Sequence, residues 1–116
     1  MAVYFFTSNA KTLLADFKQH IHQKEEKGKI TTWTEDAEGD FTHTSQQWGG
    51  QAWFRPVILT DRLTFTIIKR KDAIMPVPVY GYYHGHLIET FLNHFDTQFT
   101  SGAATAKPAS GDIVTS

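Results

Sequence analysis

The sequence predicts an α+β fold: a two-layer sandwich with two helices on one face of a mostly antiparallel sheet of four to five strands, in the order β-α-β-β-β-β-α. Two observations carry that prediction. Residues 52–59 and 63–69 read as two strands joined by a turn at Thr60, Asp61 and Arg62, and the second strand alternates Leu63, Phe65 and Ile67 with Thr64 and Thr66. Two further stretches, one starting at Ala10 and one at Tyr82, repeat their apolar residues at helical spacing. A hairpin alone is marginally stable in water, so its apolar face needs helices or more strands over it. The amphipathic stretches supply that cover.

In chain order, residues 2–7 predict a first strand. Ser8 or Asn9 then offers a side-chain oxygen to the free N–H groups of a helix start. Ala10, Leu14, Phe17 and Ile21 follow in one stripe with Leu13 beside it. Lys24, Glu25, Glu26 and Lys27 extend the helix as a solvated end, and Gly28 is placed to close it in a left-handed conformation. Residues 30–35 and 41–45 predict a pair of strands around the polar turn Asp36-Ala37-Glu38-Gly39-Asp40. Threonine is abundant in this pair, which predicts one wet face or an edge position. Gly49 and Gly50 offer a turn or a bulge before the central hairpin. Pro56 has no N–H to give a ladder, so its strand is expected at an edge or bulged there.

The hairpin ends in charge at Lys69, Arg70, Lys71 and Asp72. Residues 75–79 are expected to be extended, because a residue before proline is pushed out of the helical region. A second helix is predicted over residues 82–95, with His84, Leu87, Ile88, Phe91, Leu92 and Phe95 in one sector and His86, Glu89 and Asn93 opposite. Residues 97–99 could add a short strand. From residue 101 the chain turns to Ala, Ser, Thr, Gly and Pro, so residues 1–100 are expected to form the single domain and 101–116 a flexible C-terminal tail. The expected core is Phe5, Leu14, Phe17, Ile21, Phe65, Ile67, Leu87, Ile88, Phe91 and Phe95.

The chain has 116 residues, the size of one domain with one core. A net charge of −1 lacks the basic excess that phosphate neutralisation demands, which weighs against a nucleic-acid binder. Absence of cysteine excludes disulfides, thiolate metal sites and cysteine nucleophiles, and fits a cytoplasmic protein. The N-terminal stretch lacks the basic region of a secretory signal, and no apolar run is long enough for a membrane span.

No catalytic motif is present, so the chain reads as a non-enzyme with no cofactor. Several residues remain as candidates. Trp33, Trp48, Trp53, Tyr82 and Tyr83 are the ring types enriched at interfaces, and Arg55 stands beside them. Trp53 and Phe54 are adjacent in a strand and must face opposite sides, so the outer sheet face is expected to carry a ring and an apolar patch with Val57 or Leu59. His84 and His86 would share a metal if their chain were extended, with His94 or Glu89 as third ligand, but would diverge on a helix. His20 and His22, inside the first helix, diverge. His43, Ser45 and Asp40 contain the residue types of a nucleophilic triad without the elbow that presents one. The acidic group Glu35, Asp36, Glu38 and Asp40 lacks the EF-hand pattern and reads as a solvated turn.

Arg55, Arg62, Lys69, Arg70 and Lys71 form a candidate basic patch for RNA. The order of helix, strands and helix is similar in outline to a double-stranded-RNA-binding domain, and that resemblance implies a basic start to the second helix. Here the corresponding stretch is Tyr82-Tyr83-His84-Gly85-His86. The expected function is therefore a protein-interaction module, with a homodimer or protein partner, that uses the outer sheet face or an aromatic groove. A metal-dependent or small-molecule enzyme centred on His84 and His86, and an RNA-binding domain, are the alternatives.

Overall fold

The hairpin at the centre of the sequence is also the centre of the sheet. In the computed structural model, residues 2–71 and 76–113 are described. They form β1 (Ala2–Phe6), α1 (Ala10–His22), β2 (Trp33–Glu35), β3 (Phe41–His43), β4 (Ala52–Ile58), β5 (Arg62–Lys69), α2 (Val77–Phe95) and β6 (Ser101–Ala104). The sheet order is β2-β3-β4-β5-β1-β6, with each neighbouring pair antiparallel. The α+β class and the element order are as predicted. The sheet has six strands, one more than the largest number expected.

Register follows the apolar alternation. Val3 lies opposite Phe65, Phe5 opposite Leu63, and Phe54 opposite Ile67. All six are fully buried. Phe17 of α1 joins the two layers: its ring lies 4.7 Å from Phe41, 4.9 Å from Phe91 and 5.9 Å from Phe65. Phe5 stacks on Phe91 at 4.1 Å. Burying each such ring contributes about 1.5–3 kcal/mol, and ring pairing adds about 0.5–1.5 kcal/mol. Of the expected core only Ile88 is half-buried rather than buried.

Pro56 behaves as its chemistry requires. β3 pairs with β4 only at Phe41–Phe54, so β4 is locally an edge by the time it reaches Pro56. Four expectations need correction. α1 stops at His22 instead of running to Gly28, because residues 24–27 carry no apolar side chain to hold another turn on the sheet. The chain doubles back there, with Ile30 N–H donating to the His20 carbonyl at 2.9 Å. Gly28, at φ +77°, serves the loop rather than the helix end. α2 begins at Val77, five residues before the expected start, with Pro78 in its first turn. Proline is tolerated there because first-turn N–H groups have no helical acceptor in any case.

The third correction concerns the short strand near residue 99. The strand lies instead at Ser101–Ala104, while Gln98 N–H donates to the Phe95 carbonyl at 2.8 Å. The fourth follows from it: residues 101–113 are hydrogen-bonded to the sheet where a tail was expected. Thr105 N–H donates to the Ala2 carbonyl at 2.9 Å, and Ala2 N–H donates to Thr105 Oγ1 at 2.9 Å. Beyond the end of β1, Ile113 takes over its lane beside β5. Ile113 N–H donates to the Ile67 carbonyl at 2.9 Å and Lys69 N–H donates to the Ile113 carbonyl at 2.8 Å. Small residues hide such a strand from a hydrophobicity reading, because it is held by backbone groups. Asp72, Met75 and the last three positions of the expected tail lie outside the described residues. No helix among the described residues is long and apolar enough to cross a membrane.

Candidate functional site on the outer sheet face

Alternate residues of β1, β4 and β5 point away from the helices. Pairing fixes which ones: Tyr4 and Val57 both lie opposite Thr64, Arg55 opposite Thr66, and Trp53 opposite Ile68. The C-terminal segment reaches this face. Gly111, at φ +94°, sits so close to Thr66 that a Cβ would lie 3.0 Å from Thr66 Cγ2, so glycine is required there. Ala109 and Ser110 thereby wall a groove of about 340 Å³ against Tyr4, Val57, Leu59 and Arg62. Thr64 lies at its floor, 6% exposed, with an Oγ1 that has no hydrogen-bond partner among the described residues.

The turn end of the hairpin outruns β3 on the β4 side, while on the β5 side Thr7 N–H donates to the Asp61 carbonyl at 3.0 Å. Val57, Ile58 and Leu59 are 38%, 49% and 44% exposed, three large aliphatic side chains in succession. One ion pair adjoins them. Arg62 lies 5.4 Å from the Tyr4 ring centre and 5.2 Å from that of Phe6, while its guanidinium donates twice to Asp61 at 3.0 and 3.1 Å. The expected outer-face patch at Val57 and Leu59 is therefore present.

Towards the other end of the same face, Trp53, Arg55, Ile68 and Lys71 line a second groove of about 570 Å³ together with the acidic turn. Arg55 donates to both oxygens of Asp40, at 3.1 and 3.0 Å. Asp40 is buried, so this two-pronged pair fixes the turn to the sheet. Asp36 Oδ1 accepts from the N–H groups of Glu38 and Asp40, both at 2.9 Å, and Glu35 pairs with Lys18 at 3.3 Å and His22 at 2.8 Å. The acidic residues are thus turn caps and ion-pair partners.

The predicted ring set divides between the layers. Trp33 and Tyr83 are buried. Trp33 Nε1–H donates to Thr90 Oγ1 at 3.0 Å, and the Tyr83 hydroxyl donates to the Trp48 carbonyl, so both hold the core rather than a surface. Trp48 and Tyr82 are half-buried and stacked at 4.3 Å, and Tyr82 stacks in turn on His86 at 5.4 Å. The loop that carries Trp48 is tightly specified. At Gly49 a Cβ would come within 2.7 Å of the Ser45 carbonyl oxygen and 2.8 Å of that of His43. Of the six residues singled out for binding, only Trp53 and Arg55 lie on the outer face. The other four pack on the helix side of the sheet or at its rim.

His43 is buried against this column, 4.8 Å from the His86 ring. Its Nδ1 accepts from Ser45 N–H at 3.1 Å, so the proton sits on Nε2, which donates to the Tyr82 hydroxyl at 3.3 Å. Burial, then the proximity of His86, pushes its pKa below the ordinary histidine value. Asp40 is committed to Arg55, so His43, Ser45 and Asp40 do not assemble into a triad.

The metal set is likewise not brought together. His84, His86 and His94 all lie on α2, where the first two point about 160° apart by helical periodicity. His84 Nδ1–H donates to the Tyr80 carbonyl at 2.6 Å, His86 pairs with Glu89 at 3.3 Å, and His94 lies beside His20 with ring centres 6.1 Å apart. Among the described residues no three His, Asp or Glu side chains converge as metal ligands would. The basic patch is dispersed too. Arg55 and Arg62 are each neutralised by an aspartate, and the Lys69 ammonium donates to the Arg70 carbonyl at 3.3 Å.

Sequence reading missed Tyr4, Thr64 and Ser110 as parts of the groove. Strand alternation already placed Thr64 opposite the core, but nothing in the sequence showed that the C-terminal segment would wall it. No protein-family model, curated protein or solved structure matches the chain.

Proposed function

We propose that the chain is a protein-interaction module that docks a protein partner with the turn end and outer face of its central hairpin. One observation carries this reading: Val57 and Leu59 are large, apolar and exposed on the outer face, beside a groove and next to the Arg62–Asp61 pair, with Ile58 exposed on the opposite side of the same strand end. An apolar patch adjoined by charge suits a docking surface, because burying the patch is favourable and the charges stay wet. Lack of cysteine fits a partner met in the cytoplasm. The metal and RNA readings find less support, since His84 and His86 diverge on α2 and Arg55 and Arg62 are each held by an aspartate.

A photo-reactive residue at position 59, compared with one at position 24 on the far loop, tests the proposal in cells producing the protein. A discrete adduct at 59 that is absent at 24, and that is lost when Val57→Asp is added, supports it. Equal labelling at both positions, or none at either, overturns it.

A further inference from the structure

The two edges of the sheet differ in how they are guarded. At β2 the edge is only three residues long, and Glu35 is held there between Lys18 and His22. Short length and charge are the usual defences of an edge against another strand. β6, at four residues, is scarcely longer, but it has neither charge nor proline. Its residues Ser101, Gly102, Ala103 and Ala104 are all exposed, and residues 101–106 carry no charge. Among the described residues nothing pairs with its outer side.

Backbone geometry says which groups are on offer. The double exchange between Ala2 and Thr105 marks them as a hydrogen-bonded pair, with Thr105 Oγ1 standing in for its carbonyl. Alternation along an antiparallel ladder then turns the N–H and C=O of Ala103 towards Tyr4, its partner in β1, and those of Gly102 and Ala104 outward.

We infer that β6 is a self-pairing edge, and that its occupant is β6 of a second copy, antiparallel across a two-fold axis at Ala103. The register is fixed by the outward groups. Gly102 of each copy faces Ala104 of the other in a hydrogen-bonded pair, and the two Ala103 residues meet as a non-hydrogen-bonded pair. Small side chains allow this approach, since such a pair brings Cα atoms to about 4.5 Å. Two-fold symmetry makes the contact closed and self-complementary. A foreign peptide is the poorer occupant. Sequence-specific strand addition needs pockets for alternate side chains, and the described residues of β6 offer only hydrogen, methyl and one hydroxymethyl group. The contact is small, so the dimer is weak and forms at high concentration. It does not depend on the hairpin patch, which lies on a different strand pair.

Because the chain has no cysteine, Ala103→Cys gives a direct test. Cα atoms of a non-hydrogen-bonded pair are within the range a disulfide spans. In an air-oxidised or glutathione-buffered solution the variant should form a covalent dimer at least about tenfold faster than Thr97→Cys, an exposed control outside the strand. Ala104→Pro deletes an outward N–H and leaves the bonds to β1 intact, so it should return that rate to the control value while circular dichroism shows the fold retained. Leu59→Glu should leave the rate unchanged. A strictly monomeric wild type in sedimentation up to millimolar concentration, together with control-like oxidation of Ala103→Cys, overturns the inference. Loss of dimer in Leu59→Glu but not in Ala104→Pro also overturns it, and moves self-association to the hairpin patch.

Discussion

Phe65 and Thr64 are neighbours in β5 and face opposite ways. The ring of Phe65 has five others around it, those of Phe5, Phe17, Phe41, Phe54 and Phe91, at 5.6–6.2 Å. Thr64 lies between Tyr4 and Val57 with a hydroxyl that no group among the described residues meets. The inner face is specified by mutual packing of rings, so each position is constrained by several others. The outer face is covered by one strap of backbone at residues 109–113, and its side chains answer mainly to local ion pairs. Stability is concentrated on the first face. The second is left with surface that the fold does not need.

The sharpest way to break this contrast is to remove one ring. Phe65→Ala should cost about 3–5 kcal/mol in urea denaturation, because the structure around a deleted core ring relaxes only in part. Val57→Ala on the outer face should cost less than about 1 kcal/mol. Comparable losses at the two positions would mean that the outer face is part of the core. Next in size is Thr64→Val, which should raise stability by about 1 kcal/mol, since it replaces an unmet hydroxyl by a methyl of the same shape. A loss in that variant would show that Oγ1 has a partner in solution.

The most gradual effect is on pH. Burial, with His86 close by, lowers the pKa of His43 in the fold, whereas the unfolded chain titrates at about 6.5. Above that pH both states are neutral at His43 and nothing is lost. As pH falls through it the unfolded chain takes up a proton that the folded chain refuses, so stability declines until the folded pKa is reached. His94, lowered by burial and by His20, adds in the same direction. Denaturation midpoints at neutral and mildly acid pH should differ, and His43→Gln should narrow that difference. An unchanged difference would place the effect elsewhere.

Much of the inner face was legible because it obeys periodicity. Leu63, Phe65 and Ile67 announce a strand with one buried side, and Leu87, Phe91 and Phe95 announce a helix that faces it. Helix ends were less legible. Gly28 is a competent helix terminator, yet α1 ended earlier for want of anything apolar to bury, and Pro78 entered a first turn instead of forbidding it. The sheet's last strand was illegible for a different reason: Ser101 to Ala104 carries no side-chain signal, and its place depends on the backbone of β1, a hundred positions away. The same limit applied to the site. Alternation put Trp53 and Phe54 on opposite faces without saying which faced out, whereas Trp33 and Tyr83 looked like surface rings until Thr90, Thr42 and the Trp48 carbonyl supplied their polar ends with partners.

The position of β1 has a consequence for the order of events during synthesis. The strand lies between β5 and β6, and one of its bonds joins residues 103 positions apart. It is made before both of its partner strands, and its second flank is filled only when residues 101–104 have emerged. Until then Tyr4 and its neighbours offer unpaired amides to whatever is near, and assembly waits on loop closure across almost the whole described chain. A nascent chain stalled before residue 100 would thus hold a finished hairpin beside a half-dressed strand, the state in which premature association is most favoured.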